Sequence, residues 1–191
     1  MKCMTCENFS LTHICSACQT TFLTPSIYKR SLSNGVEVFS FYKYEDIKEL
    51  LFTKHTDLGF YVYDILAKLS FAKFAQEFDF GTSAVSIPID DNVKNGYSHA
   101  AVLNRRLKSK NVKPLYNKLR AKNEISYSGK SKAFRLANAR DFELKEFEGE
   151  NVILVDDVVT TGATLIEASN LLARRKKEVL FCLTLTDVSQ K

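Results

Sequence analysis

The chain has 191 residues, 45% of them apolar and 26% charged, with a formal net charge of +5. That composition excludes a disordered or low-complexity protein and fits one ordinary domain with a small appendage. No apolar run approaches the ~20 residues needed to span a bilayer, and the start MKCMTCENF lacks the apolar core of a secretory signal. Both readings point to the cytoplasm, where clustered cysteines suggest metal before disulfide.

In chain order, the first element is a cysteine knuckle expected over residues 1–24. Cys3, Cys6, Cys15 and Cys18 follow the spacing C-x2-C-x8-C-x2-C. Each C-x2-C turn presents two thiolates to one ion, and two pairs this close can complete a tetrahedron. So small a segment cannot bury a core by itself, so zinc would supply its folding free energy. Four sulfurs close the coordination shell, which makes the metal structural. Redox chemistry at one C-x2-C is the competing reading, but that motif usually starts a helix after a strand. His13 could replace one ligand, although four sulfurs suffice. Cys182, the fifth cysteine, lies in an apolar run and reads as core.

The remainder, residues 25–191, reads as an α/β domain. Residues 27–44 carry short aromatic and β-branched runs around Asn34-Gly35, the pattern of a strand pair. Helical spacing follows over 45–78, with Ile47, Leu50 and Leu51 on one face and Val62, Ile65, Leu66, Leu69 and Ala72 on another. SAVSIPI (83–89) reads as a buried strand ended by Pro88. A helix is expected over 98–109, with Ala101, Val102 and Leu107 inward and Arg105, Arg106 and Lys108 outward. NVKPLY reads as a short strand, and the aperiodic basic stretch 123–140 as a mobile loop. ENVILVD and VLFCLTLT are two further buried strands, separated by a helix over 164–175 that turns Leu165, Ala168, Leu171 and Leu172 inward. Apolar strands alternating with amphipathic helices predict a parallel sheet flanked by helices.

The run VILVDDVVTTGAT (152–164) carries the chemistry. In an open parallel sheet, ligands bind beyond the carboxyl ends of the strands, where Asp156 and Asp157 are expected. Gly162 lets backbone approach a ligand closely. The amides that open the next helix favour an anion, and Thr160, Thr161 and Thr164 add hydroxyls. This loop suits a phosphate. The two carboxylates suit a ribose diol or the waters of a Mg²⁺ ion. An ordinary helix N-cap followed by solvated acids is the plainer reading, and the combined run is too specific for it.

Charge is unevenly spread. Residues 104–140 hold twelve Lys and Arg against one acid, Glu124. A block this basic attracts polyanions. Arg105, Arg106, Lys108, Lys110, Lys113, Lys118, Arg120 and Lys122 could track a phosphate backbone while Tyr116 and Tyr127 stack bases. A solvated helix face beside a mobile loop that clamps a phosphorylated ligand explains the same charge, and both can hold at once.

The 152–164 run resembles the motif of type I phosphoribosyltransferases, which bind 5-phosphoribosyl-1-pyrophosphate (PRPP): four apolar residues, two acids, two apolar residues, then TTGxT. The resemblance implies a phosphoribosyltransferase-like sheet with a hood-like N-terminal part. It implies that Asp156 and Asp157 take the ribose hydroxyls, that Thr160, Thr161, Gly162, Ala163 and Thr164 wrap the 5-phosphate, and that Mg²⁺ bridges pyrophosphate and ribose. A four-cysteine knuckle ahead of such a motif resembles the ComF family of competence proteins. YEDIKELLFTKH (44–55), VSIPI (85–89) and RLANARDF (135–142) are similar to stretches of that family. Asn95, Ser98 and His99 depart from it, standing where the family usually has Arg, Asn and Gln. The turn after the first core strand, Ile89–Asn92, holds pyrophosphate in related enzymes. Here it carries Asp90 and Asp91, which suit Mg²⁺ better than direct pyrophosphate contact, so charge neutralisation would rest on the metal, backbone amides and basic side chains such as Lys54 or Arg135. The ComF resemblance implies a role in natural transformation, handling incoming single-stranded DNA together with DNA-uptake proteins. Two other functions fit the same residues: a nucleotide-salvage phosphoribosyltransferase acting on a base or amine, and a regulator that reads PRPP. The regulator lacks a helix-turn-helix in this sequence.

Overall fold

The computed structural model describes residues 1–78, 81–89, 96–122 and 140–190. The elements are α1 (Ser16–Phe22), β1 (Tyr28–Ser31), β2 (Glu37–Lys43), α2 (Tyr44–Leu51), a 3-10 turn (Phe52–His55), α3 (Asp57–Leu69), α4 (Phe71–Glu77), β3 (Ala84–Pro88), α5 (His99–Arg105), β4 (Val112–Pro114), β5 (Leu119–Ala121), β6 (Phe142–Leu144), β7 (Asn151–Val159), α6 (Ala163–Arg174) and β8 (Glu178–Asp187). Six strands form one sheet in the order β1-β2-β8-β7-β3-β4. Only the β1–β2 edge pair is antiparallel; β2–β8, β8–β7, β7–β3 and β3–β4 run parallel. The expected α/β fold, a mostly parallel sheet flanked by helices, is what forms.

Alternation along the central strands divides the core into two layers. Ile153 and Val155 of β7 and Leu183 and Leu185 of β8 pack with α2 to α5. Val152, Leu154 and Cys182 pack on the other side with Leu165, Ala168 and Leu172 of α6. Of the expected inward positions, Ile47, Leu51, Val62, Leu66, Val102, Leu107, Leu165, Ala168 and Leu172 are buried, whereas Leu50, Ile65, Leu69, Ala72, Ala101 and Leu171 are half-buried. Tyr63 on α3, Asn104 on α5 and Ser169 on α6 are buried although hydropathy does not mark them. Cys182 is fully buried, as its apolar run implied.

The cysteine knuckle is not a separate bead. Cys3, Ile14, Cys18 and Leu23 are buried in the same cluster as Ile47, Tyr63 and Phe71. The His13 ring lies 4.7 Å from that of Tyr61 on α3.

Two features depart from the sequence expectation. β5 and β6 pair antiparallel as a small second sheet, although three residues interrupted by charge show no period. The acids, expected at the end of their strand, lie inside β7, because its ladder to β8 continues through Val158–Thr186 and Val159–Asp187. Tyr127, Asp90, Asp91, Asn95 and Arg135, and most of the stretch read as a mobile loop, lie outside the described residues.

Candidate functional site

Adjacent residues of a strand point to opposite faces, and Asp156 and Asp157 have different surroundings. Asp157 is buried. Its Oδ2 accepts hydrogen bonds from Lys54 Nζ and from the Tyr63 hydroxyl, each at 3.0 Å. Burial works to raise the Asp157 pKa, but the Lys54 cation, the nearby His99 and these two hydrogen bonds override it and hold the carboxyl well below the ordinary range. Asp157 in turn raises the pKa of Lys54 against the effect of burial. Lys54 stays in place because Tyr97 donates its hydroxyl to the Lys54 carbonyl at 2.9 Å. α3 admits that hydroxyl only because residue 59 is glycine: a Cβ there would collide with the Tyr97 oxygen and the Thr53 carbonyl.

Asp156 is only partly buried. Its Oδ1 accepts the backbone N–H of Asp157 at 2.8 Å. Its Oδ2 has no hydrogen-bond partner among the described residues. Burial and the adjacent Asp157 charge push its pKa up to about 7, with Arg140 and Lys54 opposing. Arg140 comes to this position because Glu167 of α6 accepts the backbone N–H groups of Arg140 and Asp141 at 2.9 and 2.8 Å. The acid pair is thus split: one carboxylate is tied to Lys54 of the 3-10 turn and Tyr63 of α3, and the other has an oxygen that could meet a ligand hydroxyl or a hard cation.

The threonine loop follows directly. Gly162 caps α6 at φ +80°, a backbone region that favours glycine. Ala163 donates its N–H to Thr161 Oγ1 at 3.2 Å, and Ile166 makes the first helical bond to the Gly162 carbonyl. The first N–H groups of a helix have no intrahelical acceptor, so the opening of α6 offers donors to an anion. Thr160, Thr161 and Gly162 therefore form the turn into α6, whose first residues are Ala163 and Thr164. Arg30 of β1 braces the turn from the side: Nη1 donates to the Thr160 carbonyl at 3.0 Å and to Asp187 Oδ1 at 2.8 Å. A cavity of about 310 Å³ opens here, lined by Arg30, Ser31, Ser33, Thr160 and Thr161 among others.

Cys3, Cys6, Cys15 and Cys18 converge, with all four Sγ atoms within 4.8 Å of one another. Metal–sulfur bonds of about 2.3 Å in a tetrahedron separate sulfurs by about 3.8 Å, and Cys6 Sγ lies 3.7 Å from Cys15 Sγ. The Cys15 N–H donates to Cys3 Sγ at 3.2 Å. That bond and the Cys6 amide lower the Cys3 pKa to about 6, whereas burial and the neighbouring thiols push Cys18 up to about 12. Full ionisation of such a set needs a cation, and the geometry could hold zinc. His13 stands outside this cluster, against Tyr61.

The expected polyanion-binding residues divide too. Arg106 grips Asp64 of α3 with Nε at 2.9 Å and Nη2 at 2.6 Å, and Arg105 reaches the same carboxylate at 2.8 Å. Lys108, Lys110 and Lys113 are exposed, as is Tyr116. Sequence reading missed Tyr63, Arg30, Asp187 and Glu167. Only a buried tyrosine's need for a hydroxyl partner could have pointed to the first.

No helix among the described residues is long and apolar enough to cross a membrane. No curated protein matches this chain. Among solved structures, a hypoxanthine phosphoribosyltransferase from Staphylococcus aureus is 18% identical with a TM-score of 0.40; the match covers 65% of this chain and 62% of that one, less than two thirds of its length. An orotate phosphoribosyltransferase from Mycobacterium tuberculosis H37Rv, in complex with inorganic phosphate, is 14% identical with a TM-score of 0.38, covering 88% of this chain and 90% of that one. Residues 82–191 match the family model described as phosphoribosyl transferase domain, and since that span is more than half of the chain, the protein belongs to the phosphoribosyl transferase domain family.

Proposed function

We propose that this chain is a ComF-type competence protein that binds PRPP with Mg²⁺ and handles incoming single-stranded DNA in the cytoplasm. The observation that carries the PRPP reading is the pairing, along one strand and loop, of an Asp156 carboxylate oxygen that has no hydrogen-bond partner among the described residues with the Gly162 turn that opens α6. A ribose diol or Mg²⁺ suits the first and a 5-phosphate the second. Thr160, Thr161, Ala163 and Thr164 complete the phosphate cradle. Asp157 contributes through its remaining oxygen and through the anchor to Lys54. When bound, Mg²⁺ would neutralise charge on the pyrophosphate.

The competence reading is supported by the four-cysteine cluster ahead of the family domain and by the exposed cations after α5. In this proposal residues 1–24 form a zinc-stabilised knuckle and residues 25–191 the phosphoribosyltransferase-like domain. DNA-uptake proteins are the expected partners.

The test is calorimetric titration of the protein with PRPP and Mg²⁺, beside Asp156→Asn, which leaves Lys54 and Asp157 paired. PRPP affinity is expected in the native protein and a loss of at least tenfold in the variant. Equal binding by both removes the site assignment. Base-dependent release of pyrophosphate at ordinary enzymatic rates would move the protein to nucleotide salvage.

A further inference from the structure

Arg30 lies far outside the segment that matches the family, yet it reaches the middle of the threonine loop. Its Nη1 joins three partners: the Thr160 carbonyl at 3.0 Å, Asp187 Oδ1 at 2.8 Å and Ser189 Oγ at 3.4 Å. Asp187 is almost fully buried, and its Oδ2 has no hydrogen-bond partner among the described residues. Nη2 and Nε of Arg30 make no hydrogen bond to any described residue. Nη2 lies 3.1 Å from the point a Cβ on Gly162 would occupy. That places it against the turn, and Arg30 lines the 310 Å³ cavity together with Thr160 and Thr161.

A guanidinium is a fork with five donors, able to hold a carboxylate on one tine and a phosphate oxygen on another. One tine here is already committed to protein acceptors. The other faces the turn that the proposed PRPP reading gives to the 5-phosphate. Ser31 and Ser33, from the same hairpin, add hydroxyls to the cavity wall.

We propose that Arg30 has two roles in the phosphate site: Nη1 positions the loop through Thr160 and Asp187, and Nη2 binds an oxygen of the ligand's 5-phosphate. This rests on the PRPP reading above. In this chain the β1–β2 hairpin therefore forms one wall of the phosphate site, adding a charged contact to backbone amides and threonine hydroxyls. The ligand class it selects is a sugar phosphate carrying a dianionic monoester.

The two roles separate in Arg30→Lys. A lysine can keep the ion pair with Asp187 but cannot serve the loop and the phosphate together. The experiment measures the thermal midpoint and the affinity for ribose 5-phosphate and for PRPP with Mg²⁺, in the native protein, Arg30→Lys and Arg30→Met. Arg30→Lys is expected to keep the native midpoint within a few degrees and to lose about tenfold in affinity for both ligands. Arg30→Met is expected to lose both stability and affinity. Native affinity in Arg30→Lys would reduce Arg30 to a brace and overturn the proposal. Should either variant fold poorly, the native protein carries the test: the Arg30 side-chain Nε–H resonance, assigned through its backbone, must move on saturation with ribose 5-phosphate. A resonance that stays still at saturation overturns the phosphate contact. If the native protein binds neither ligand, the PRPP reading itself fails, and Arg30's role with it.

Discussion

Lys54 Nζ lies 3.0 Å from Asp157 Oδ2, a contact between the 3-10 turn before α3 and the middle of β7. Tyr63 donates to the same oxygen. Residues outside the family-matched segment therefore hold one acid of the site's acid pair. Removing one partner of a buried ion pair leaves an uncompensated charge and costs about 3–5 kcal/mol. Lys54→Met is expected near the lower end, about 3 kcal/mol, because the Lys54 side chain keeps 26% exposure. Tyr63→Phe should cost about 1 kcal/mol, the net worth of one hydrogen bond. Urea unfolding of the two variants and their double mutant checks this. The double mutant should lose less than the sum of the two, because both donors serve one oxygen.

The acid pair also gives stability a signed pH dependence. Asp156 rises from the ordinary 3.8 to about 7 in the folded chain. A raised pKa means the folded state binds the proton more tightly, so this contribution is complete below about pH 4 and fades as pH rises to 7. Asp157 works in the opposite direction. Its lowered pKa contributes stability above the unfolded value of 3.8, lost only as pH falls below it. Between pH 5 and 8 the fall in stability with rising pH therefore belongs to Asp156, while Cys3, lowered to about 6 in the folded chain, adds an opposing rise above that pH. Asp156→Asn should flatten the fall and be more stable than the native chain at pH 8. Urea midpoints at pH 5 and 8 decide it; an unchanged slope in the variant would reject the assignment. A site that keeps a costly carboxylate for its ligand should become more stable when that carboxylate is lost.

Much of this site could be read from the sequence because its chemistry is local. The acids, threonines and Gly162 fall within one strand–turn–helix run, where spacing alone sets proximity. The cysteines are legible for the same reason. Lys54 was read as a cation for pyrophosphate, and its pairing with Asp157 could not be read, since it depends on how α3 packs on the sheet. Arg30 and Asp187 are 157 positions apart and meet only because β2 pairs with β8 and carries the β1 hairpin alongside. β5 and β6 are invisible for another reason: three residues cannot display a period of two. Arg106 looks like any solvated cation until Asp64 is placed beside it.

Gly162 is a conformational and a steric requirement together. At φ +80° an L side chain is strained, and a Cβ would stand 2.5 Å from Leu32 Cδ2. Gly162→Ala is expected to cost more than the ~1 kcal/mol typical of an alanine forced into this region. Trimming Leu32 to alanine should recover the steric part but not the backbone part. Thermal melts of the three variants, with PRPP affinity in parallel, separate the two.

The knuckle's contribution to stability should reach the whole chain. Cys3 and Cys18 are buried with Ile14 and Leu23 in the larger core cluster, so loss of the metal site cannot stay confined to the N-terminus. Cys3→Ser should take zinc from about one ion per chain to near none by elemental analysis. For a chain of this size each kcal/mol lost lowers the midpoint by about 2–4 °C, so a fall of several degrees is expected. A midpoint unchanged after zinc loss would mean that packing alone holds the knuckle.

The basic face makes a prediction that separates structure from binding. Arg106 and Arg105 are paired with Asp64, so changing them weakens the packing of α5 on α3 whatever the chain binds. Lys108 and Lys110 are exposed and have no hydrogen-bond or ion-pair partner among the described residues. They carry the cleaner test. Each lysine neutralising a phosphate of a single strand contributes about 0.7 to the slope of log affinity against log salt. Lys108→Ala/Lys110→Ala should weaken single-stranded DNA binding and lower that slope by about 1.4, without moving the thermal midpoint or PRPP affinity. Fluorescence anisotropy across a salt series measures it. A slope equal to the native one would place DNA elsewhere on the surface, and no binding at any salt would end the DNA reading and leave the PRPP site as the protein's function.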